Sequence, residues 1–157
     1  MTRTANDHTF VIERDFAHPR SFLFFAFADQ SAKSAWFGDT ANWTVETYEL
    51  DFREGGKETY VGRPGTDGPE VRNDVLYYQI VPDERIIISY SMHIDGKMIT
   101  VSLQTLEFSD TANGSRLKLR EQIVFLDGSD HLEDRIRGTE GILFTLGQWL
   151  DDNKAAA

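Results

Sequence analysis

The 157-residue sequence has no cysteine, which removes disulfides, thiolate zinc sites and cysteine nucleophiles together. Its histidines, His8, His18, His93 and His131, lie in four separate segments without the H-x-H or H-x-x-x-H spacing of a metal motif. No apolar run approaches the roughly 20 residues that a membrane span needs. The polar start, Met1 to His8, lacks the apolar stretch of a signal peptide. Basic side chains are scarce: 16 Lys and Arg stand against 26 Asp and Glu, a formal charge of −10. Such a chain repels phosphate backbones, so nucleic acid is excluded as an expected partner. No G-x-S-x-G elbow, Walker loop or G-x-G-x-x-G occurs. Gly55-Gly56-Lys57 joins two strand-like segments and reads as a hairpin turn. The expectation is a cytoplasmic domain spanning 1–157, with an ordered core of about 9–150 and no metal, cofactor or membrane partner.

Aromatic side chains, by contrast, are plentiful: eleven Phe, five Tyr and three Trp. An ordinary core can hold that many, and so can the wall of a cavity for an apolar ligand.

Periodicity divides the chain into a strand, two short helices, six strands and a long helix. Phe10, Ile12 and Phe16 alternate with Val11, Glu13 and Asp15 over 9–16, a strand stopped by His18-Pro19. Residues 19–28 predict a helix that is apolar on most sides, with Pro19 as its first residue. A second helical turn from Asp29 leads to Trp36-Phe37-Gly38. Alternation then takes over from Trp43, with Tyr48, Leu50 and Phe52 on one face before the Arg53-Glu54-Gly55-Gly56 turn. Strands follow over 57–62, 71–81, 85–94 and 116–126, with a further one through Ile99 to Phe108, and 63–69 reads as a loop. Their turn signals are Pro82-Asp83-Glu84, Asp95-Gly96 and Asn113-Gly114. The apolar phase slips between Ile99, Val101 and Leu103 and the later pair Leu106 and Phe108, which predicts a bulge near Gln104-Thr105.

Asp130 with Glu133 makes a capping-box-like start to the last helix. Leu132, Ile136, Thr139, Leu143, Leu146 and Leu150 share one face of it. Gly138, Gly141 and Gly147 each cost about 1 kcal/mol against Ala there; they either admit a close neighbour or are merely tolerated.

This order resembles the helix-grip fold of the START domains and Bet v 1-like proteins. Within it the chain is most similar to bacterial relatives of the C-terminal domain of the activator of heat-shock protein 90 ATPase. The carrying segments are Glu13 to Arg20, Leu23-Phe24 with Asp29, Trp36-Phe37-Gly38, Leu50 to Gly56, Ile80 to Arg85 and Gly114 to Leu117. The resemblance implies an α+β fold, a seven-stranded curved antiparallel sheet wrapped around the long C-terminal helix. Departures from the family pattern are Gln30 in place of proline, Lys33 in place of a bulky apolar residue, and Gly141-Ile142 in place of Gly-Trp, with a tryptophan later at Trp149.

Charged residues on apolar faces are the sharpest local signal. Arg14 shares parity with Phe10, Ile12 and Phe16, and Glu121 with Leu117, Leu119, Ile123 and Phe125. The resemblance makes their strands neighbours. Either the two side chains meet and offset each other's desolvation, or local twist lets both reach water. His93 has the parity of Ile87, Ser89 and Ser91, opposite to the apolar face.

The candidates for a ligand cavity between sheet and helix are Arg14, Trp36, Phe37, Trp43, Tyr48, Tyr60, Tyr90, Glu121, Ile142 and Leu146. The leading expectation is a binding protein for an apolar or aromatic small molecule. An alternative is an enzyme of the polyketide cyclase/dehydrase type, with Glu121, Arg14, Tyr48, Tyr60 and His93 as its candidate groups. A chaperone-associated role is a third reading, weakened because the chain matches one domain of the larger activator. Proteins of this kind often pair, so a homodimer is also an expectation.

Overall fold

The alternating segments pair into one antiparallel sheet. The computed structural model describes residues 2–38 and 41–154. Its strands are β1 (Ala5–Phe16), β2 (Trp43–Leu50), β3 (Lys57–Pro64), β4 (Val71–Val81), β5 (Arg85–Ile94), β6 (Lys97–Thr111) and β7 (Gly114–Leu126). Their spatial order is β1-β7-β6-β5-β4-β3-β2. Five of the six neighbouring pairs are consecutive in sequence, as hairpin connections require. The sixth, β1 with β7, joins the two ends of the sheet's chain path. The helices α1 (Arg20–Ala28) and α2 (Gln30–Trp36) lie between β1 and β2 in the chain, which are the two edges of the sheet.

The helix α3 (Leu132–Asp152) has 21 residues, about 30 Å at 1.5 Å each. Its Leu143, Leu146 and Leu150 are buried in the same core as Phe16, Leu117, Leu119 and the α1 residues Phe22, Leu23, Phe24 and Phe27. The result is the helix-grip arrangement, an α+β fold with a curved seven-stranded sheet and a long C-terminal helix.

Turn chemistry explains where the strands end. Asp95 and Gly96 both have positive φ, 49° and 79°, the conformation an Asp-Gly two-residue hairpin turn demands. Asp83, at φ 62°, does the same work between β4 and β5. Several strands are longer than periodicity predicts. β1 begins at Ala5 rather than Thr9, β3 runs on to Pro64, into the segment read as a loop, and β7 begins at Gly114 rather than Arg116.

The bulge expected at Gln104-Thr105 is absent. β6 keeps one register against β7 from Thr111↔Gly114 through Thr100↔Phe125. The irregularity falls instead between Met92 and His93, which pair with Thr100 and Met98 and leave Ile99 as the extra residue. The apparent slip has a physical cause. The inward-facing set is Thr100, Ser102, Gln104, Leu106 and Phe108, polar for its first half, while Val101 and Leu103 are exposed. Apolar alternation tracked the outer face there, because the inner face serves a buried carboxylate.

The start of α3 also differs. His131 occupies the N-cap without a side-chain cap bond, and Asp130 accepts from Asn6 Nδ2 at 2.8 Å instead. Glu133 and Asp134 remain in the first turn, where they complement the helix dipole. Pro19 sits just ahead of α1, its carbonyl accepting from Phe22 and Leu23. A Cβ at Gly138 or Gly141 would meet nothing within 4 Å, and one at Gly147 would make ordinary contact with Phe16 at 3.6 Å. The helix glycines are tolerated rather than required.

Candidate functional site: an aromatic cleft backed by a buried ion cluster

Alternation places Glu58 and Tyr60 on the inward face of β3, beside Tyr48 of β2 and Tyr77 of β4. Helical spacing puts Lys33 three residues before Trp36, on the buried side of α2. These elements bring Lys33 and Glu58 together inside the protein, Nζ to Oε1 2.9 Å, with Glu58 only 1% exposed. Tyr77 donates to the same Oε1 at 2.6 Å, and Tyr48 donates to Oε2 at 2.6 Å. The Lys33 ammonium also lies 4.9 Å from the centre of the Phe37 ring, a cation–π contact that further offsets its desolvation. Burial, and after it the Glu58 charge, push the Tyr48 and Tyr77 hydroxyls far above the ordinary tyrosine range. Both stay protonated as donors.

In front of this cluster lies a cleft of about 340 Å³, lined by Ser34, Phe37, Trp43, Val45, Tyr48 and Tyr60. Phe37 meets Tyr60 nearly edge-on, at 5.7 Å and 83°, and Tyr48 at 6.2 Å and 38°. Two glycines hold the Tyr60 phenol in place. A Cβ on Gly62 would stand 2.6 Å from the Tyr60 oxygen, and one on Gly38 (φ 79°) 3.1 Å from it. A second concavity of about 430 Å³ lies by the β2–β3 turn, lined by mostly polar and charged residues including Gln30, Glu49, Asp51, Arg53 and Lys57. Both concavities lie at the α2–β2–β3 corner, and no α3 residue lines either one.

Four of the sequence candidates, Phe37, Trp43, Tyr48 and Tyr60, thus converge on one cleft. Trp36 does not join them: it is 1% exposed, packs edge-on against Phe27 at 4.9 Å, and donates to the Ala26 carbonyl at 3.0 Å. Leu146 is fully buried in the core, and Ile142 packs at its margin.

Tyr90 and Glu121 belong to a second buried cluster. Glu121 is 0% exposed and accepts from Tyr90 Oη (2.7 Å), Ser102 Oγ (2.8 Å) and Gln104 Nε2 (3.0 Å). Its cation is Arg135 of α3, Nη1 to Oε2 3.1 Å. Arg135 also donates to Thr100 Oγ1 at 2.8 Å and touches Met92 Sδ at 3.3 Å. The suggested meeting of Arg14 with Glu121 does not occur. Arg14 stands opposite Leu117, and Glu121 opposite Phe10, a displacement of four residues or about 14 Å along the strands. Among the described residues Arg14 forms no ion pair. Burial, then the Glu121 charge, push the Tyr90 hydroxyl well above its ordinary range.

Sequence reasoning missed Glu58, Arg135 and the role of Lys33. Each left a trace. Glu58 shares strand parity with Tyr60, and Arg135 lies three residues after Leu132 and four before Thr139 on the apolar helix face. His93, read as facing away from the core, makes a 3.0 Å bond with Ser91 and approaches Asp74 at 3.8 Å. His18 is buried, with Nε2 2.7 Å from Asp151 Oδ1. Among the described residues no group of His, Asp and Glu is arranged to hold a metal ion, and no helix is long and apolar enough to cross a membrane.

Comparison with known proteins places this geometry in a family. The family described as Activator of Hsp90 ATPase homolog 1-like protein matches residues 17–148. A solved structure from Rhizobium leguminosarum is 37% identical, covering 98% of this chain and 100% of its own, with a TM-score of 0.93. The Mll3558 protein from Rhizobium loti is also 37% identical, over 94% of this chain and 99% of its own, with a TM-score of 0.86. An AHSA1-like protein from Aeromonas hydrophila shares the fold alone, at 16% identity over 92% and 93% of the two chains and a TM-score of 0.68. No curated protein matches the chain. With the match spanning 17–148, the chain belongs to the Activator of Hsp90 ATPase homolog 1-like family.

Proposed function

We propose that this protein is a cytoplasmic binding domain for a small, largely apolar or aromatic molecule, held in the cleft of Phe37, Trp43, Tyr48 and Tyr60. The observation that carries the reading is the convergence of four aromatic side chains on one open cleft whose back wall, Tyr48, is fixed by a buried carboxylate. Aromatic-walled concavities with a few fixed polar groups are where small ligands bind. Pre-organised rings lose little conformational freedom on binding.

The buried acids favour binding over catalysis. Glu121 and Glu58 each accept from three or more donors, one of them cationic. A carboxylate so committed is held as a structural anion rather than presented to a substrate as a base.

Native mass spectrometry of freshly purified protein tests the reading. The expected result is a reproducible companion mass, released on denaturation, of an apolar or aromatic compound, and loss of that companion in Trp43→Ala. A clean mass together with no saturable binding of aromatic probes would sink it. Binding of the purified chaperone in a salt-sensitive manner would favour the chaperone-associated role instead.

A further inference from the structure

β2 is an edge of the sheet, and among the described residues no strand lies beyond it. The backbone N–H and C=O groups on such an edge are a template for one more strand. At Tyr48 and Leu50 a side chain holds them instead. Gln30, the first residue of α2, donates from Nε2 to the Tyr48 carbonyl at 3.4 Å and accepts at Oε1 from the Leu50 N–H at 3.3 Å. A carboxamide has the donor and acceptor of a peptide group, so Gln30 stands in for one peptide unit of an absent strand. Both bonds are exposed and longer than the roughly 2.7–3.2 Å usual for N–H···O. They are weak, and a real strand can displace them.

The ground beside this edge is concave on both sides of Gln30. The cleft of Phe37, Trp43, Tyr48 and Tyr60 lies on one side, and the concavity lined by Gln30, Glu49, Leu50 and Lys57 on the other. Successive side chains of an added strand point to opposite faces. Every second one would therefore reach toward the aromatic cleft, and those between would lie beside Glu49, on the opposite face from Tyr48. Glu49 is exposed and forms no ion pair among the described residues, whereas the nearby Glu46 is already paired with Arg63. With a formal charge of −10 on the whole chain, a basic side chain is favoured there.

We infer that β2 is a strand-addition site for an extended peptide segment of a partner protein, alternating aromatic or large apolar with basic side chains, and that Gln30 guards the site until the segment pairs. This rests on the cleft receiving aromatic groups, and it adds a second class of occupant to that cleft. Main-chain bonds would supply the affinity and the alternate side chains the selectivity.

The probe is the peptide Lys-Trp-Lys-Val-Lys-Trp-Lys, blocked at both ends and titrated by NMR into the nitrogen-15-labelled full chain and its Gln30→Ala variant. Before peptide is added, the Leu50 amide should exchange with solvent several-fold faster in Gln30→Ala, while the melting temperature barely moves, because Gln30 is exposed. The peptide should bind the unaltered chain saturably and the variant about three- to tenfold more tightly, as removal of a weak competing pair of hydrogen bonds allows. Bound peptide should protect the Leu50 amide in both. N-methylation of alternate peptide residues removes backbone donors and keeps side chains and charge. One of the two alternate sets should abolish binding and the other should leave it. Glutamate in place of the peptide's lysines should cost about tenfold or more.

Unchanged binding of both N-methylated peptides would overturn the inference and leave the aromatic cleft standing, since side chains alone would carry the contact. Equal or weaker binding by Gln30→Ala would also overturn it, as would a Leu50 amide that exchanges no faster in that variant, or equal binding of the glutamate peptide. Naphthol serves as the free aromatic probe. Saturable naphthol binding with no peptide binding would overturn strand addition alone, and binding of neither would remove the cleft reading as well.

Discussion

Arg135 on the C-terminal helix reaches across the interior to Glu121 on the seventh strand, 3.1 Å away, and there completes a carboxylate already holding Tyr90, Ser102 and Gln104. The inner face of β6 is polar at Thr100, Ser102 and Gln104 because it surrounds this pair. The first third of α3 is therefore fastened to the sheet by charge and hydrogen bonds, and its C-terminal half is held in the core by Leu143, Leu146 and Leu150.

Removing the cation should strand a fully buried carboxylate. Arg135→Met is expected to cost about 3–5 kcal/mol in urea denaturation. Arg14→Met, at the residue that strand parity alone would have paired with Glu121, should stay within about 0.5 kcal/mol. Comparable losses in the two variants would contradict the assignment.

The second pair behaves as a unit with its tyrosines. Lys33→Met alone should destabilise by about 3 kcal/mol, because the buried Glu58 loses its cation. The double variant Lys33→Met/Glu58→Gln should recover at least half of that, since the neutral amide oxygen still accepts from Tyr77 while its nitrogen donates to the Tyr48 oxygen. A double-variant loss equal to the sum of the singles would show that the pair is not coupled.

Alkaline stability follows from the buried tyrosines. Tyr48, Tyr77 and Tyr90 are all raised from the ordinary value of 10.0, chiefly by burial. The folded state thus holds these protons when the unfolded chain would release them. Their contribution is complete below about pH 10 and declines as pH rises above it. Phenolate absorbance from these three should appear together with loss of circular dichroism. Full ionisation of all five tyrosines in a still-folded protein would oppose this.

Glycines separate into two kinds. Gly138→Ala and Gly141→Ala should each stabilise by about 0.5–1 kcal/mol, since a Cβ at either position meets only open space on a helix. Gly62→Ala should do the reverse, because its Cβ would press on Tyr60 Oη at 2.6 Å and on the Thr44 carbonyl at 3.1 Å. Displacing that ring should also weaken aromatic probe binding.

The architecture was legible because its signals are local. Strand alternation, Asp95-Gly96 and the leucine face from Leu132 to Leu150 each declare one element, and the resemblance supplies their order. The aromatic cleft was half legible. Phe37, Trp43, Tyr48 and Tyr60 could be named, but Trp36, from the same cluster, turned into the core. The buried charges were hidden for a physical reason. A lysine, a glutamate or an arginine is assigned to water unless a partner is known, and Lys33–Glu58 and Arg135–Glu121 join residues 25 and 14 positions apart. Pairing of that kind exists only once the sheet and helices are assembled.

The cleft itself can be interrogated through the three tryptophans, which report three places. Trp43 lines the cleft, Trp36 lies in the core, and Trp149 sits on α3 against Phe22, 5.7 Å ring to ring. The measurement is the set of indole N–H resonances in a nitrogen-15 NMR titration with naphthol. The account predicts a saturable shift of the Trp43 resonance with Trp149 unmoved. Saturable movement of Trp149 with Trp43 fixed would place the ligand under the helix and contradict it.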